Sequence, residues 1–127
     1  MSRILVVDDD AVAVRGLTQL LQMDGHEAVG LLQSERALER LRAEAFDVLV
    51  TDLEMPGVHG LELVRAAREA RPGMAVLVVT AYAHSPASAS ALALGARRVL
   101  GKPLHYEDLL AELEALGAPG APLTASR

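Results

Sequence analysis

The feature that most constrains this 127-residue chain is an alternation. Five short apolar runs, at residues 4–7, 28–32, 46–51, 75–80 and 98–100, are separated by stretches with helical periodicity. The runs are rich in Val and Leu and do not alternate with polar residues, as expected of parallel strands covered on both faces. Between them, Val14, Leu17, Leu20 and Leu21 form the inward stripe of a first helix that Gly25 ends. Ser34 reads as the N-cap of a second helix. Leu61, Val64 and Ala67 carry a third, stopped by Arg71-Pro72-Gly73. A weaker fourth spans residues 86–94, and a fifth spans 106–116 with Leu109, Leu110, Leu113 and Leu116 facing inward.

Five strand–helix units make an α/β chain of the (βα)5 kind. Crossovers of this length give parallel strands with helices on both faces, and five units are too few for an eight-stranded barrel. A doubly wound open parallel sheet is the expected fold, with any ligand outside the carboxyl ends of the strands. One domain over residues 1–116 is expected. Residues 117–127, Gly-Ala-Pro-Gly-Ala-Pro-Leu-Thr-Ala-Ser-Arg, lack periodicity and read as a flexible tail or the start of a linker.

Composition narrows the function. The chain has no cysteine, which excludes disulfide scaffolds, thiolate metal sites and thiol catalysis. Its formal net charge of −5 argues against a nucleic-acid or anionic-membrane surface. No apolar run approaches the ~20 residues of a membrane span, and the first run is too short and too soon acidic for a signal peptide. A cytoplasmic location is expected. Phe46, Tyr82 and Tyr106 are the only aromatics, so the core must be aliphatic. Lys102 is the only lysine among twelve Lys and Arg residues.

The strand ends carry the chemistry. The first run ends in Asp8-Asp9-Asp10, the third in Asp52 with Glu54 two residues on, the fourth in Thr80-Ala81, and the fifth is followed by Lys102-Pro103. All lie on one edge of a parallel sheet. Clustered carboxylates repel one another unless a cation sits among them. Oxygen-only ligands, without Cys or a His pair at ligand spacing, suit a hard ion such as Mg2+. Singly, each residue has an ordinary use: Asp9 or Asp10 as a helix cap, Asp52 as a turn former, Thr80 as a strand residue, Lys102 as a solvated charge. Together they exceed those uses.

The set resembles the receiver domain of two-component response regulators over residues 3–116. The motifs are Ile4-Leu5-Val6-Val7-Asp8-Asp9-Asp10, Asp47-Val48-Leu49-Val50-Thr51-Asp52-Leu53-Glu54-Met55-Pro56-Gly57, Thr80-Ala81 and Gly101-Lys102-Pro103. Their spacing agrees, with 43 residues from Asp9 to Asp52, 28 more to Thr80 and 22 more to Lys102. The resemblance implies the flavodoxin-like strand order 2-1-3-4-5. It implies that Asp52 accepts a phosphoryl group from a phosphohistidine on a sensor histidine kinase or phosphotransfer protein. Asp9 and Asp52 would hold Mg2+ directly, Asp8 through water, and the Glu54 main-chain carbonyl would add a ligand. Lys102, the Thr80 hydroxyl and the Ala81 amide would bind phosphoryl oxygens, and Pro103 would give a cis peptide that aims Lys102 inward. The surface of the fourth helix, fifth strand and fifth helix would then change. That surface would control an effector protein or a linked output domain, or pair with a second copy.

Two positions depart from the family pattern. Val99 stands where an aromatic switch residue is usual, leaving Tyr82 as the nearby ring, and His59 replaces a more often acidic loop residue. The segment after Thr80, rich in Ser and Ala, is expected to pack weakly and carry the signal. A phosphatase of the haloacid-dehalogenase kind is the enzymatic alternative. Its nucleophile, however, usually lies in an Asp-x-Asp motif on the first strand, and no cap insertion occurs here. A degenerate receiver is the other alternative, and retention of the acidic residues, Thr80 and Lys102 weighs against it. Beyond slow self-catalysed phosphotransfer and autodephosphorylation, no enzyme activity is expected.

Overall fold

The computed structural model describes residues 2–55, 57 and 59–117. The first strand, β1 (Arg3–Val7), leads into α1 (Ala11–Met23), followed by β2 (Glu27–Leu31) and α2 (Ser34–Ala43). Then come β3 (Val48–Thr51), α3 (Gly60–Ala70), β4 (Ala75–Thr80), α4 (Pro86–Ala93), β5 (Arg98–Gly101) and α5 (Tyr106–Gly117). The five strands form one parallel sheet in the order β2-β1-β3-β4-β5. The expected (βα)5 fold and strand order are therefore found. Of the stretch expected to be a tail, residues 118–127 lie outside the described residues.

Side chains of successive strand residues point to opposite faces, and this splits the core in two. Leu5, Val7, Leu49, Val76 and Val78 pack with Ala37 and Leu41 of α2, Leu63, Val64 and Ala67 of α3, and Ala91 of α4. Their neighbours Ile4, Val6, Val48, Val50, Leu77 and Val79 pack with Val14 and Leu21 of α1 and Leu109 and Leu113 of α5. Both cores are aliphatic except for Phe46, which is fully buried with the Arg3 guanidinium 4.5 Å from its ring centroid. Phe46 precedes β3 rather than belonging to it; its carbonyl accepts from the Arg71 side chain.

Helix ends follow local chemistry, with one correction. Gly25 ends α1 at φ 90°, a conformation cheap only for glycine. Ser34 is not an N-cap: Gln33 holds that position without a side-chain bond, and Ser34 is the buried first residue of α2. The Glu35 carboxylate in the first turn meets the helix dipole there. Gly30 in β2 makes room for α1, since a Cβ at that position would lie 2.4 Å from Val14 Cγ1.

Candidate functional site

The strand order reverses between β1 and β3, and that is where the acidic residues gather. Val7 pairs with Thr51, so the next residue of each strand, Asp8 and Asp52, emerges at the same level. The ladder runs on past the strand ends: Asp52 N–H donates to Val7 O at 3.1 Å, and Lys102 N–H to Thr80 O at 2.9 Å. Backbone bonds thus fix the origin of both side chains. The Lys102–Pro103 peptide bond is cis.

Lys102 Nζ closes the cluster, donating to Asp52 Oδ2 at 2.8 Å and to Asp8 Oδ2 at 2.9 Å. Asp8 and Asp52 are buried, at 8% and 6% exposure, so their charges need this partner. Burial disfavours the Lys102 ammonium, but hydrogen bonds from it to Asp52 and Asp8 outweigh that cost and raise its pKa above the ordinary lysine value. The remaining oxygens are used as well. Asp8 Oδ1 accepts from Asp10 N–H, and Asp52 Oδ1 accepts from Glu54 N–H. Asp10 caps α1 by accepting from Val12 and Ala13 N–H, leaving Asp9 exposed.

Carboxylate oxygens of Asp8, Asp9 and Asp52 lie within 4.8 Å of one another. Two buried carboxylates already bound to an ammonium, beside an exposed third, suit a hard divalent cation that keeps some of its water. The residues therefore fit Mg2+.

On the other side, Thr80 is fully buried, and its Oγ1 donates to Glu54 Oε1 at 2.5 Å while accepting from Tyr82 N–H at 3.2 Å. The sequence reading missed this use of the Glu54 carboxylate, because no local pattern signals a contact across 26 residues. It also missed His59, whose Nδ1 caps α3 by accepting from Leu61 N–H. Ala81 is exposed at the end of β4. Val99 is half-buried against the core under α2, α3 and α4, whereas Tyr82 is 62% exposed. The segment after Thr80 has few apolar anchors, as expected, but serines hold it. Ser85 caps α4 through Ser88 N–H, and the buried Ser88 hydroxyl donates to Tyr82 O.

A cleft of about 390 Å3 opens from Asp8, Asp52 and Lys102 along α1 toward Leu104 and Tyr106. It explains a second correction: Leu20, expected to face inward, is 40% exposed because it lines this cleft instead of the core. Tyr106, which lines the cleft, donates from its Oη to Asp24 Oδ2 at 2.6 Å. Among the described residues, no helix is long and apolar enough to cross a membrane.

Comparison with known proteins agrees with this geometry. The sequence profile of the response regulator receiver domain matches residues 4–114. The chain is 34% identical over 116 residues to the response regulator receiver protein CpdR of Brucella abortus, covering 91% of this chain and 97% of CpdR. Other relatives are longer, and the chain spans only 23% of one and 51% of another. A CheY-like receiver domain from Methanospirillum hungatei superposes with a TM-score of 0.85 at 32% identity, covering 90% of this chain and 91% of that one. TrrA of Thermotoga maritima, solved in complex with Mg2+ and a beryllium fluoride, superposes at 0.81 with 31% identity, covering 91% and 99%. On the matched profile, the shared strand order and the convergence of Asp8, Asp52, Thr80 and Lys102 at one sheet edge, the chain belongs to the response regulator receiver domain family, the phosphorylation-dependent switches of two-component signalling.

Proposed function

We propose that Asp52 is the phosphoacceptor, receiving its phosphoryl group in the cytoplasm from a phosphohistidine of a sensor histidine kinase or phosphotransfer protein. The observation that carries this reading is the Lys102 ammonium held against both Asp52 and Asp8. It supports the reading because the charge of Asp52 and of its neighbour Asp8 is already being neutralised there, and phosphoryl transfer asks mainly for positioning and neutralisation. An Asp52 oxygen attacks phosphorus, the P–N bond breaks, and its electron pair returns to the imidazole. Asp9 and Asp52 would hold Mg2+ directly, Asp8 through water, and the Glu54 main-chain carbonyl would complete the protein ligands. The ion would offset the charge of the carboxylates and the incoming phosphoryl oxygens. Lys102 then gives a hydrogen bond to one phosphoryl oxygen as a compact point charge, and the Thr80 hydroxyl and Ala81 amide bind another.

The chain works as a switch with slow self-catalysed phosphotransfer and autodephosphorylation. With no ring at Val99, the change at Thr80 passes through Tyr82 and the Ser85–Ser88 hydrogen bonds into α4. The face of α4, β5 and α5 then meets an effector, a linked output domain or a second copy. Incubation with acetyl phosphate and Mg2+ tests the reading. Acid-labile phosphate should appear in the wild type and be absent from Asp52→Asn and from the chelated protein; equal labelling of Asp52→Asn would overturn it. Amide exchange with Mg2+–beryllofluoride should change at residues 81–95 as well as 52–60, and a response confined to 52–60 would refute the route through α4.

A further inference from the structure

We propose that Glu54 is a positioning residue that latches Thr80 in the resting state by occupying the hydroxyl proton that the phosphoryl group must later take. The proposal rests on the phosphoacceptor reading of Asp52 and adds the restraint against which that group acts.

A threonine hydroxyl has one proton to donate. Here it goes to Glu54 Oε1 at 2.5 Å, a charge-assisted bond of the stronger kind. The oxygen of the same hydroxyl accepts from Tyr82 N–H at 3.2 Å, so both ends of Thr80 are engaged. Thr80 is fully buried, whereas Glu54 is exposed, so solvent reaches the acceptor side of this bond but not the hydroxyl. The main chain of Glu54 is tied to the site, because its N–H donates to Asp52 Oδ1. Asp52, Glu54 and Thr80 therefore form one chain of contacts, and a phosphoryl group on Asp52 arrives beside an occupied hydroxyl. Thr80 has to leave one acceptor for the other. The difference between those two bonds enters the switching equilibrium directly, since a group shifts an equilibrium only by its differential interaction with the two states.

Two kinds of repulsion need separating. A carboxylate near an incoming anion opposes it whether or not Thr80 is involved. A latch acts only through the Thr80 hydroxyl. Glu54→Ala keeps the main-chain carbonyl proposed as a metal ligand and deletes the acceptor. Glu54→Gln keeps an acceptor and deletes the charge. Thr80→Val deletes the hydroxyl at nearly constant shape.

Affinity for Mg2+–beryllofluoride, followed by amide chemical shifts at Tyr82, is the readout. Glu54→Ala should bind roughly tenfold more tightly than wild type, and Glu54→Gln should fall between. In the Thr80→Val background, Glu54→Ala should give no gain. In the free wild-type protein the Thr80 hydroxyl proton should exchange slowly enough to observe, and in Glu54→Ala it should be lost. Equal gains in both backgrounds, with Glu54→Gln matching Glu54→Ala, would show charge repulsion and overturn the latch alone. No gain in Glu54→Ala would also overturn it. A wild-type protein that takes up no Mg2+–beryllofluoride would overturn the phosphoacceptor reading and the latch with it, a result distinct from the other two.

Discussion

The ammonium of Lys102 stands 2.8 Å from Oδ2 of Asp52. It shares its charge with Asp8 at 2.9 Å, so one cation serves two buried carboxylates. A site wired this way is balanced for rest, and any cation or phosphoryl group that enters has to rearrange these bonds.

Removing that cation should be felt in stability. Lys102→Met leaves Asp8 and Asp52 buried without a counter-charge and should destabilise the fold by ~1–3 kcal/mol. Added Mg2+ should restore more of the melting temperature in the variant than in wild type, because the ion meets the unpaired carboxylates. Lys102→Arg should keep the stability but lose the exchange response at residues 81–95, since a planar fork does not replace a point charge. Calorimetry with and without Mg2+, and amide exchange with beryllofluoride, measure both effects.

Gly60 sets the position of the Asp52 turn from below. A Cβ there would lie 2.4 Å from the Asp52 carbonyl oxygen and 2.5 Å from Leu53 Cα, both backbone atoms that cannot swing away. Gly60→Ala should therefore cost ~1–3 kcal/mol through overpacking and slow labelling by acetyl phosphate. Gly73→Ala, where no atom lies within 4 Å, is the control for the loss of a glycine.

The tie between α5 and α1 should be visible by titration. Burial, and then the hydrogen bond to Asp24, push the Tyr106 phenol up to about 12. The folded state favours the neutral phenol, so this contribution to stability is complete below the ordinary value of 10.0 and is lost as pH rises through about 12. The difference in tyrosinate absorbance between wild type and Tyr106→Phe should show that late midpoint. A midpoint at the ordinary tyrosine value would mean that the tie does not persist in solution.

At the opposite end of the pH scale, Glu44 carries the effect. Hydrogen bonds from Arg40 and then from Arg3 lower its carboxyl from 4.5 to about 2. The folded state favours the ionised form, so the gain is complete above 4.5 and disappears as pH falls through about 2. Acid unfolding of Glu44→Gln should begin at higher pH than in wild type, and the two stability curves should converge toward pH about 2.

What could be read from the sequence was whatever depends on periodicity. Val and Leu runs named the strands to within a residue or two, and the strand ends brought Asp8, Asp52, Thr80 and Lys102 together in advance of any coordinates. What escaped was decided by tertiary neighbours. Leu20 has the spacing of a core residue but lines the cleft and is 40% exposed. Ser34 has the chemistry of a cap but is drawn into the first turn and buried, where a residue's preference for a cap position counts for less than packing. From sequence, Glu54 is expected to act through its main-chain carbonyl, and only the adjacency of the β3 and β4 ends shows its carboxylate reaching Thr80.

Lys102 meets Asp8 across 94 residues of chain and Asp52 across 50. During synthesis, therefore, the early part of the molecule emerges carrying Asp8, Asp9 and Asp52 with their counter-ion still unmade. The last strand delivers it. A nascent or truncated chain holding only the first four strands would present three mutually repelling carboxylates to a phosphodonor, and a fragment ending at Arg97 should take no label from acetyl phosphate. On the proposed mechanism, competence to accept a phosphoryl group would thus arrive with the last strand, which brings the counter-charge to Asp8 and Asp52.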